Sequence, residues 1–309
     1  MSALATAEAL AGQRGKVWVV VNPVAGGHRA LEAWAGLKPI LESRVPDAEV
    51  FHTTGPGHAT DIGHAAVSAG VDRLLIVGGD GTIQEVAAGV LGSGVVLGTI
   101  PAGTGNDFSR THLIPRDLHS AFEVALSGEP AAIDLGRVNG RPFINVGGVG
   151  FDAEVAAWTK HRTRRFGGPV LYLAGVLTQL WSYEPQVLSY SIDDGPVRTE
   201  HCLLISVGNG RYYGGGMMIC PKADARDGIL DVVVGGRLGK LETLRLLPKV
   251  FSGKHLGQPK VTEYWGRKIV VSGPAHLTVH ADGEPVTKLP ATFEVLPGAL
   301  LVAMPAPIN

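Results

Sequence analysis

Val77-Gly78-Gly79-Asp80-Gly81-Thr82-Ile83-Gln84-Glu85 joins an apolar run, Arg73 to Val77, to apolar residues at helical spacing, Ile83, Val86, Ala87, Val90 and Leu91. That order is strand, glycine turn, helix. Glycines at 78, 79 and 81 let the backbone turn tightly and bring its N–H groups close to a ligand. Thr82 is placed to cap the helix, whose positive end then faces whatever the loop holds. A phosphate suits that position. Asp80 does not suit a simple phosphate cradle, so it implies a cation, or a proton in transit, at the same place.

The flanking sequence repeats the rhythm. Lys16 to Val21 reads as a buried strand, Ala30 to Ser43 as a helix, Glu49 to Phe51 as a strand and His58 to Ala69 as a second helix. Beyond the Asp80 turn, Val95 to Ile100 is a strand and Leu118 to Leu126 a helix. This alternation over residues 14–133 predicts an α/β domain with a mainly parallel sheet covered on both faces. Ligands of such sheets bind beyond the carboxyl ends of the strands.

After Ile133 the pattern changes to short strands: Asp134 to Val138, Pro142 to Val146, Gln186 to Ile192, Val197 to Val207, Leu230 to Val234, Lys268 to Val271, His276 to Val279 and Ala291 to Val295. Asn139-Gly140, Asp194-Gly195 and Asp282-Gly283 supply tight turns between several of them. Residues 134–297 therefore read as a second, mainly antiparallel β-sandwich domain. Helices around Glu154 to Tyr183 and Lys240 to Ser252 interrupt it. The apolar run in 298–309 is placed to return to the first domain.

Bulk properties narrow the class. A chain of 309 residues can hold two cores. Glycine, at 43 residues, is about twice its usual share. It sits in turns and not in a low-complexity tract, which points to binding loops built from backbone. A net charge of −1 offers no field for nucleic acid, so no nucleic-acid partner is expected. Cys202 and Cys220 are too few for a disulfide framework or a C-x-x-C knuckle, and a cytoplasmic setting fits. Met1 to Gln13 lacks the basic and apolar parts of a signal peptide and reads as a frayed leader or short helix. Val170 to Trp181 is too short to span a bilayer.

Two more glycine-bearing loops accompany the Asp80 turn. Asn22-Pro23-Val24-Ala25-Gly26-Gly27 follows the first strand, and Pro101-Ala102-Gly103-Thr104-Gly105-Asn106-Asp107-Phe108 follows Val95 to Ile100. Parallel strands put their carboxyl ends together, so the three loops converge on one phosphate pocket. Glycines alone would only mark turns, but Asp80, Asp107, Thr82, Thr104 and Asn106 gather with them. No G-x-x-x-x-G-K-[ST] is present. Gly148-Val-Gly150-Phe-Asp-Ala153 is a loose dinucleotide match in the wrong half of the chain.

In order and spacing these three loops resemble the diacylglycerol kinase catalytic domain. Asp134-Leu-Gly136, Phe143-Ile-Asn145-Val-Gly147-Gly-Val-Gly150-Phe-Asp152, Val207-Gly-Asn209-Gly-Arg-Tyr-Tyr-Gly214, Pro221-Lys-Ala-Asp224-Ala-Arg-Asp227-Gly-Ile-Leu-Asp231 and Asp282-Gly-Glu284 extend the resemblance over nearly the whole chain. The Gly-Gly-Asp-Gly-Thr element alone is shared with NAD kinases and phosphofructokinases, and the same fold is expected.

The resemblance implies transfer of a phosphoryl group from ATP, with Mg²⁺, to a lipid hydroxyl. By the same likeness, Asn22, Pro23, Val24, Ala25, Gly26, Thr53, Gly78, Gly79, Asp80, Gly81, Thr82, Ile83, Gln84, Gly103, Thr104 and Asn106 would hold the nucleotide. Asp80, Asp107 and Asp282 would form the carboxylate network at the γ-phosphate, with Asp282 as general base and Glu284 beside it. Chemistry agrees: the transfer needs alignment, a cation and a proton acceptor. Taken alone, Asp282-Gly283 would read as an exposed hairpin turn.

Bacterial members carry a second, structural Mg²⁺. Here the Asp227 side chain and the carbonyls of Asp224 and Ile229 would bind it, although Arg226 lowers the local negative charge. Gln84 stands where relatives often have asparagine. A lipid substrate and peripheral contact with the inner face of the membrane are expected with that activity, and a homodimer is left open by the sequence. Lys160-His161-Arg162-Thr163-Arg164-Arg165 reads either as a membrane-facing basic patch or as a solvated face. Two other functions fit the first three loops: a kinase for a soluble acceptor, as in NAD kinases, and a catalytically silent nucleotide or lipid sensor.

Overall fold

Alternation along the first strand shows how the first domain is layered. The computed structural model describes residues 15–160 and 169–306. Met1 to Gln13 and His161 to Arg165 lie outside them. In β1 (Val17–Val21), Trp18 and Val20 enter one core while Val17, Val19 and Val21 enter another. A strand buried on both faces belongs in the middle of a helix-covered parallel sheet. Burying each such valine contributes on the order of 2 kcal/mol.

Around β1 lie β2 (Glu49–His52), β3 (Arg73–Gly78) and β4 (Val96–Pro101), all parallel, in the order β2-β1-β3-β4. The helices α1 (Arg29–Arg44), α2 (His58–Ser68) and α3 (Asp80–Val90) cross between these strands. The short α4 (Asp107–Thr111) and then α5 (Leu118–Ser127) follow β4. Trp34, Leu37 and Leu41 of α1 pack with Phe122 and Ala125 of α5 on one face. Ile62 of α2 and Ile83, Val86 and Val90 of α3 pack on the other.

The sheet then continues antiparallel through the rest of the chain. β5 (Glu129–Val138) and β6 (Arg141–Phe143) lead away, and β7 (Val146–Gly150) enters a second sheet. After α6 (Phe151–Lys160) and α7 (Pro169–Leu180) come β8 (Gln186–Ile192), β9 (Arg198–Cys202) and β10 (Leu204–Gly208). β11 (Leu230–Gly235), α8 (Lys240–Phe251), β12 (Val261–Gly266), β13 (Lys268–Ser272), β14 (Thr278–Ala281), β15 (Glu284–Lys288) and β16 (Ala291–Met304) complete the described chain. Ten strands form the first sheet, whose main path runs β2-β1-β3-β4-β16-β13-β8-β9. Six form the second, in the order β12-β11-β10-β7-β14-β15.

A third core lies between the two sheets. Leu188, Tyr190, Ile269, Val271 and Phe293 of the first sheet face Val149, Ile205, Val207, Val232 and Val279 of the second. The molecule is thus an α/β unit with a mainly parallel sheet, extended by an antiparallel sandwich.

Several predicted strands differ in a consistent way. Pro142 to Val146 is not one strand: the chain leaves the first sheet after Phe143 and joins the second at Val146. Val197 to Val207 breaks at Leu203, with β9 in the first sheet and β10 in the second. Ala291 to Val295 and the terminal apolar run are one 14-residue strand, β16, which pairs with β13 and, at Leu301 and Val302, with β4. β12 and β15 lack a strong apolar run and were not predicted.

Candidate active site

The loops after β1, β3 and β4 meet because their strands are parallel neighbours. The Asn22 amide bonds the Val77 carbonyl at 3.0 Å, and the Ala102 amide bonds the Gly78 carbonyl at 2.8 Å. At the Asp80 turn the backbones touch. A Cβ on Gly103 would lie 2.5 Å from Gly79 Cα, so neither position has room for a side chain.

These loops and the Thr53–Pro56 segment after β2 enclose a cavity of about 510 Å³. Of the residues assigned to the nucleotide, Asn22 to Gly26, Thr53, Gly79 to Thr82, Gly103 and Thr104 line it. Gly78, Ile83, Gln84 and Asn106 do not. Ile83 is a core residue on the buried side of α3. Asn106 instead closes its own loop, accepting from the Gly103 amide at 2.9 Å. Thr82 does not cap α3, which begins two residues earlier at Asp80; its Oγ1 accepts from Asn22 Nδ2 at 2.9 Å. Thr54, Gly55 and Glu85 line the cavity and were missed.

A second cavity of about 270 Å³ shares Asp80, Thr104 and Gly105 with the first. Asp80, Asp107, Asp282 and Glu284, distant in sequence, all line it. Asp80 Oδ1 accepts the Phe108 amide at 2.8 Å, which fixes the start of α4. Asp107 is buried, with Oδ2 accepting from the Gly215 amide at 2.7 Å; Oδ1 makes no hydrogen bond and lies 3.7 Å from Arg110 Nε. Burial, and then the nearby Asp80 charge, push the Asp107 carboxyl up to about 7. The Asp80 and Asp107 Oδ2 atoms flank Gly105, 3.1 and 3.4 Å from where its Cβ would be.

Asp282 is not an exposed hairpin residue. Its Oδ1 accepts from the Asn145 and Val146 amides at 2.8 and 3.1 Å, and its Oδ2 from the Ile144 amide at 2.8 Å. The link between β6 and β7 therefore sets its orientation. Burial raises its carboxyl to about 6, against the opposing pull of the three amides. Asn145, Tyr172, Tyr213 and His280 also line this cavity and were missed. Only the alternation of β14 could have signalled His280, two residues before Asp282.

The acidic pair suits a hard cation. Mg²⁺ commonly takes one or two carboxylates and completes its shell with phosphate oxygens and water. Asp80 and Asp107 offer that pair, and Asp107 Oδ1 is a buried oxygen that no hydrogen bond satisfies, with only Arg110 Nε near it at 3.7 Å. The Asp224 to Ile229 loop fits less well. The Asp224 carbonyl already accepts the Arg226 and Asp227 amides, Arg226 pairs with its carboxylate, and Asp227 Oδ1 accepts from Ile229. That leaves few of the six oxygens such a cation takes. Asp134 ties this loop down: its two oxygens accept from the Gly228 and Gly298 amides, both at 2.7 Å. Among the described residues, no group of three or more His, Cys, Asp and Glu side chains is gathered to hold a metal.

A third, apolar cavity of about 80 Å³ lies under α7 and α8. Phe151, Val176, Leu203, Leu246 and Val250 are among its walls. Tyr172 and Tyr213 separate it from the acidic cavity and line both.

Comparison with known proteins agrees with this geometry. Residues 16–138 match the diacylglycerol kinase catalytic domain, and 145–304 match the YegS C-terminal NAD kinase beta sandwich-like domain. The chain is 34% identical over 300 residues to a protein of Mycobacterium tuberculosis named diacylglycerol kinase, covering 94% of this chain and 96% of that one. It is 32% identical over 277 residues to a Klebsiella pneumoniae protein named probable lipid kinase YegS-like, covering 86% and 89%. Among solved structures, a Bacillus anthracis protein provisionally described as a diacylglycerol kinase superposes with a TM-score of 0.79 at 26% identity, covering 95% and 99%. An Archaeoglobus fulgidus NAD kinase in complex with ATP shares the fold, with a TM-score of 0.51 at 13% identity over 93% of each chain.

Proposed function

The chain belongs to the diacylglycerol kinase family, and we propose that it transfers the γ-phosphate of ATP to a hydroxyl of a lipid. The observation that carries this reading is that the three cavities lie side by side and share walls. The loop cavity meets the acidic cavity at Asp80, Thr104 and Gly105, and the acidic cavity meets the apolar one at Tyr172 and Tyr213. A nucleotide on the loops and an apolar chain behind the tyrosines would face each other across the carboxylates.

In this arrangement the Asp80 and Gly81 amides at the start of α3 bind the phosphates. Asp80 and Asp107 would hold Mg²⁺, which when bound neutralises phosphate oxygens. The acceptor hydroxyl attacks the γ-phosphorus, the bond to the ADP oxygen breaks, and Asp282 takes the hydroxyl proton. With its carboxyl raised to about 6, Asp282 is ionised at neutral pH yet basic enough for that task.

Contact with a membrane surface fits the outside of α7. Val170, Leu173, Leu177 and Trp181 recur on one exposed face, and Leu241 of α8 is exposed where Lys240 bonds the Trp181 carbonyl. No described helix is long and apolar enough to cross a membrane.

The test is phosphorylation by purified protein with labelled ATP and Mg²⁺, offering a total lipid extract and, separately, water-soluble acceptors. Label in the lipid phase is expected. Label only in soluble acceptors would give the NAD kinase-like reading, and ATP binding without any transfer the sensor reading. Asp80→Asn is expected to lower transfer at least ~100-fold with the fold retained; near-wild-type activity would remove its assigned role.

A further inference from the structure

One cross-strand row of the second sheet places a polar cluster beneath the Asp282 turn. Ser206 of β10 and His280 of β14 both stand opposite Gly148 of β7. A Cβ on Gly148 would lie 2.6 Å from Asp152 Oδ2 and 3.0 Å from His280 Nε2. That space is filled instead by the Asp152 carboxylate, reaching over from the first turn of α6. Ser206 Oγ donates to Asp152 Oδ2 at 2.8 Å, and the Ala153 amide donates to Oδ1 at 2.9 Å. His280 Nε2 lies 3.3 Å from the same Oδ2, close enough for an ion pair but without a hydrogen bond to it or to any other atom. Asp152 is 1% exposed, and Ser206 and His280 are fully buried.

The other edge of the imidazole faces the active site. The Gly283 amide donates to His280 Nδ1 at 3.3 Å. An accepting Nδ1 puts the ring proton on Nε2, toward Asp152. The register of β14 shifts between Val279 and His280, and such irregularities re-aim a side chain. Tyr213, in the wall of the acidic cavity, lies nearly parallel to the ring, at 10° and 6.4 Å. Burying a carboxylate, an imidazole and a hydroxyl together is costly, and an apolar trio would fill the volume more cheaply.

We propose that His280, oriented by Asp152 and Ser206, is the positioning residue of the Asp282–Glu284 turn. By holding the Gly283 amide it fixes the aim of Asp282 at the acceptor hydroxyl. The Ile144 to Val146 amides hold the carboxylate from one side, and His280 holds the backbone of the turn from the other. Asp282 and Gly283 both have positive φ, 50° and 81°, the usual geometry of a two-residue Asp-Gly hairpin, so these contacts orient a turn that its own residues already favour. The proposal rests on the kinase reading for its catalytic consequence, but not for the contact itself.

Two substitutions separate the edges of the ring. In His280→Asn the amide oxygen stands near Nδ1 and can still accept from Gly283. In His280→Gln the side chain reaches toward Asp152 and leaves Gly283 without an acceptor. The expected result is a kcat 10- to 100-fold lower for His280→Gln, the scale of a misplaced reacting group. KM for ATP should be unchanged and Tm within about 2 °C of wild type, a shift below ~1 kcal/mol. His280→Asn should keep kcat within about threefold, short of the tenfold that 1.36 kcal/mol makes. Hydrogen exchange at the Gly283 amide, read without any substrate, should be faster in His280→Gln and near wild type in His280→Asn. Wild-type exchange in His280→Gln overturns the contact. Equal losses in both variants that follow a fall in Tm make the cluster structural and overturn the proposal. If the wild-type protein transfers no phosphate, the kinase reading fails while the exchange result still decides the contact.

Discussion

Asp107 is held in a state that favours ligand binding over stability. Its carboxyl is buried, one oxygen makes no hydrogen bond, and burial with the Asp80 charge raises it from 3.8 to about 7. A raised carboxyl means that the folded chain keeps a proton the unfolded chain has released. Its stabilising contribution is complete below the ordinary carboxylate range and is lost as pH rises through about 7. Asp282, raised to about 6, acts in the same direction. His112, lowered to about 4 by burial, opposes them, but only below its ordinary value of 6.5. Two raised carboxyls outweigh the one imidazole, so the ligand-free protein is expected to lose Tm between pH 5 and 7.5. Asp107→Asn should raise Tm at pH 7.5 by ~2–4 °C, about 1 kcal/mol at this chain length, and flatten the slope. It should also abolish phosphoryl transfer. Thermal scans with EDTA at both pH values check this, and a lower Tm in the variant would reverse the assignment.

The Asp80 turn shows, among the structural elements, what glycine does in this site. Gly79 and Gly103 lie backbone to backbone, so Gly103→Ala sets a Cβ 2.5 Å from Gly79 Cα. Forcing the loops apart should cost about 1–3 kcal/mol and weaken ATP binding at least ~10-fold; calorimetric titration with ATP·Mg²⁺ measures it, and an unchanged Kd would mean the loops adjust freely. These loops were legible in the sequence because glycine marks a close approach and parallel strands buried on both faces read as unbroken apolar runs. The sandwich was legible strand by strand but not sheet by sheet. The chain changes sheets at Ile144-Asn145 and at Leu203, where neither glycine nor proline marks the crossing. Both sheets present the same alternation to one core, so periodicity carries no label for which sheet a strand joins. The second sheet's central strand, Val146–Gly150, was hidden for a related reason. Its three glycines interrupt the apolar pattern of a strand and gave only a loose dinucleotide match, whereas Gly148 leaves the space that Asp152 and His280 fill. The carboxylates of the site were legible as residue types, but the amides that orient Asp282 depend on a contact between residues some 140 positions apart.

Across the whole molecule, β16 binds the parallel and antiparallel halves into one frame. The apolar cavity, at about 80 Å³, has the volume of a few water molecules at ~30 Å³ each and is too small for an acyl chain as it stands. Its cover is the part able to yield: α8 has no fully buried residue, and Leu244, Leu246 and Leu247 are only partly buried against the core beneath. An acceptor with a long chain would enter by displacing α8, while its hydroxyl stops at Tyr172 and Tyr213. Leu246→Trp adds volume at this point and costs about 1–3 kcal/mol in the closed form. Long-chain acceptors should then show a KM raised ~10-fold or more, because the added ring competes for the same space. Short-chain acceptors should be affected less, and the Kd for ATP should not change, because the nucleotide cavity shares no wall with the apolar one. Steady-state kinetics with a chain-length series reads the difference. An equal loss for every chain length would place the acyl chain elsewhere and leave the apolar cavity as ordinary packing space.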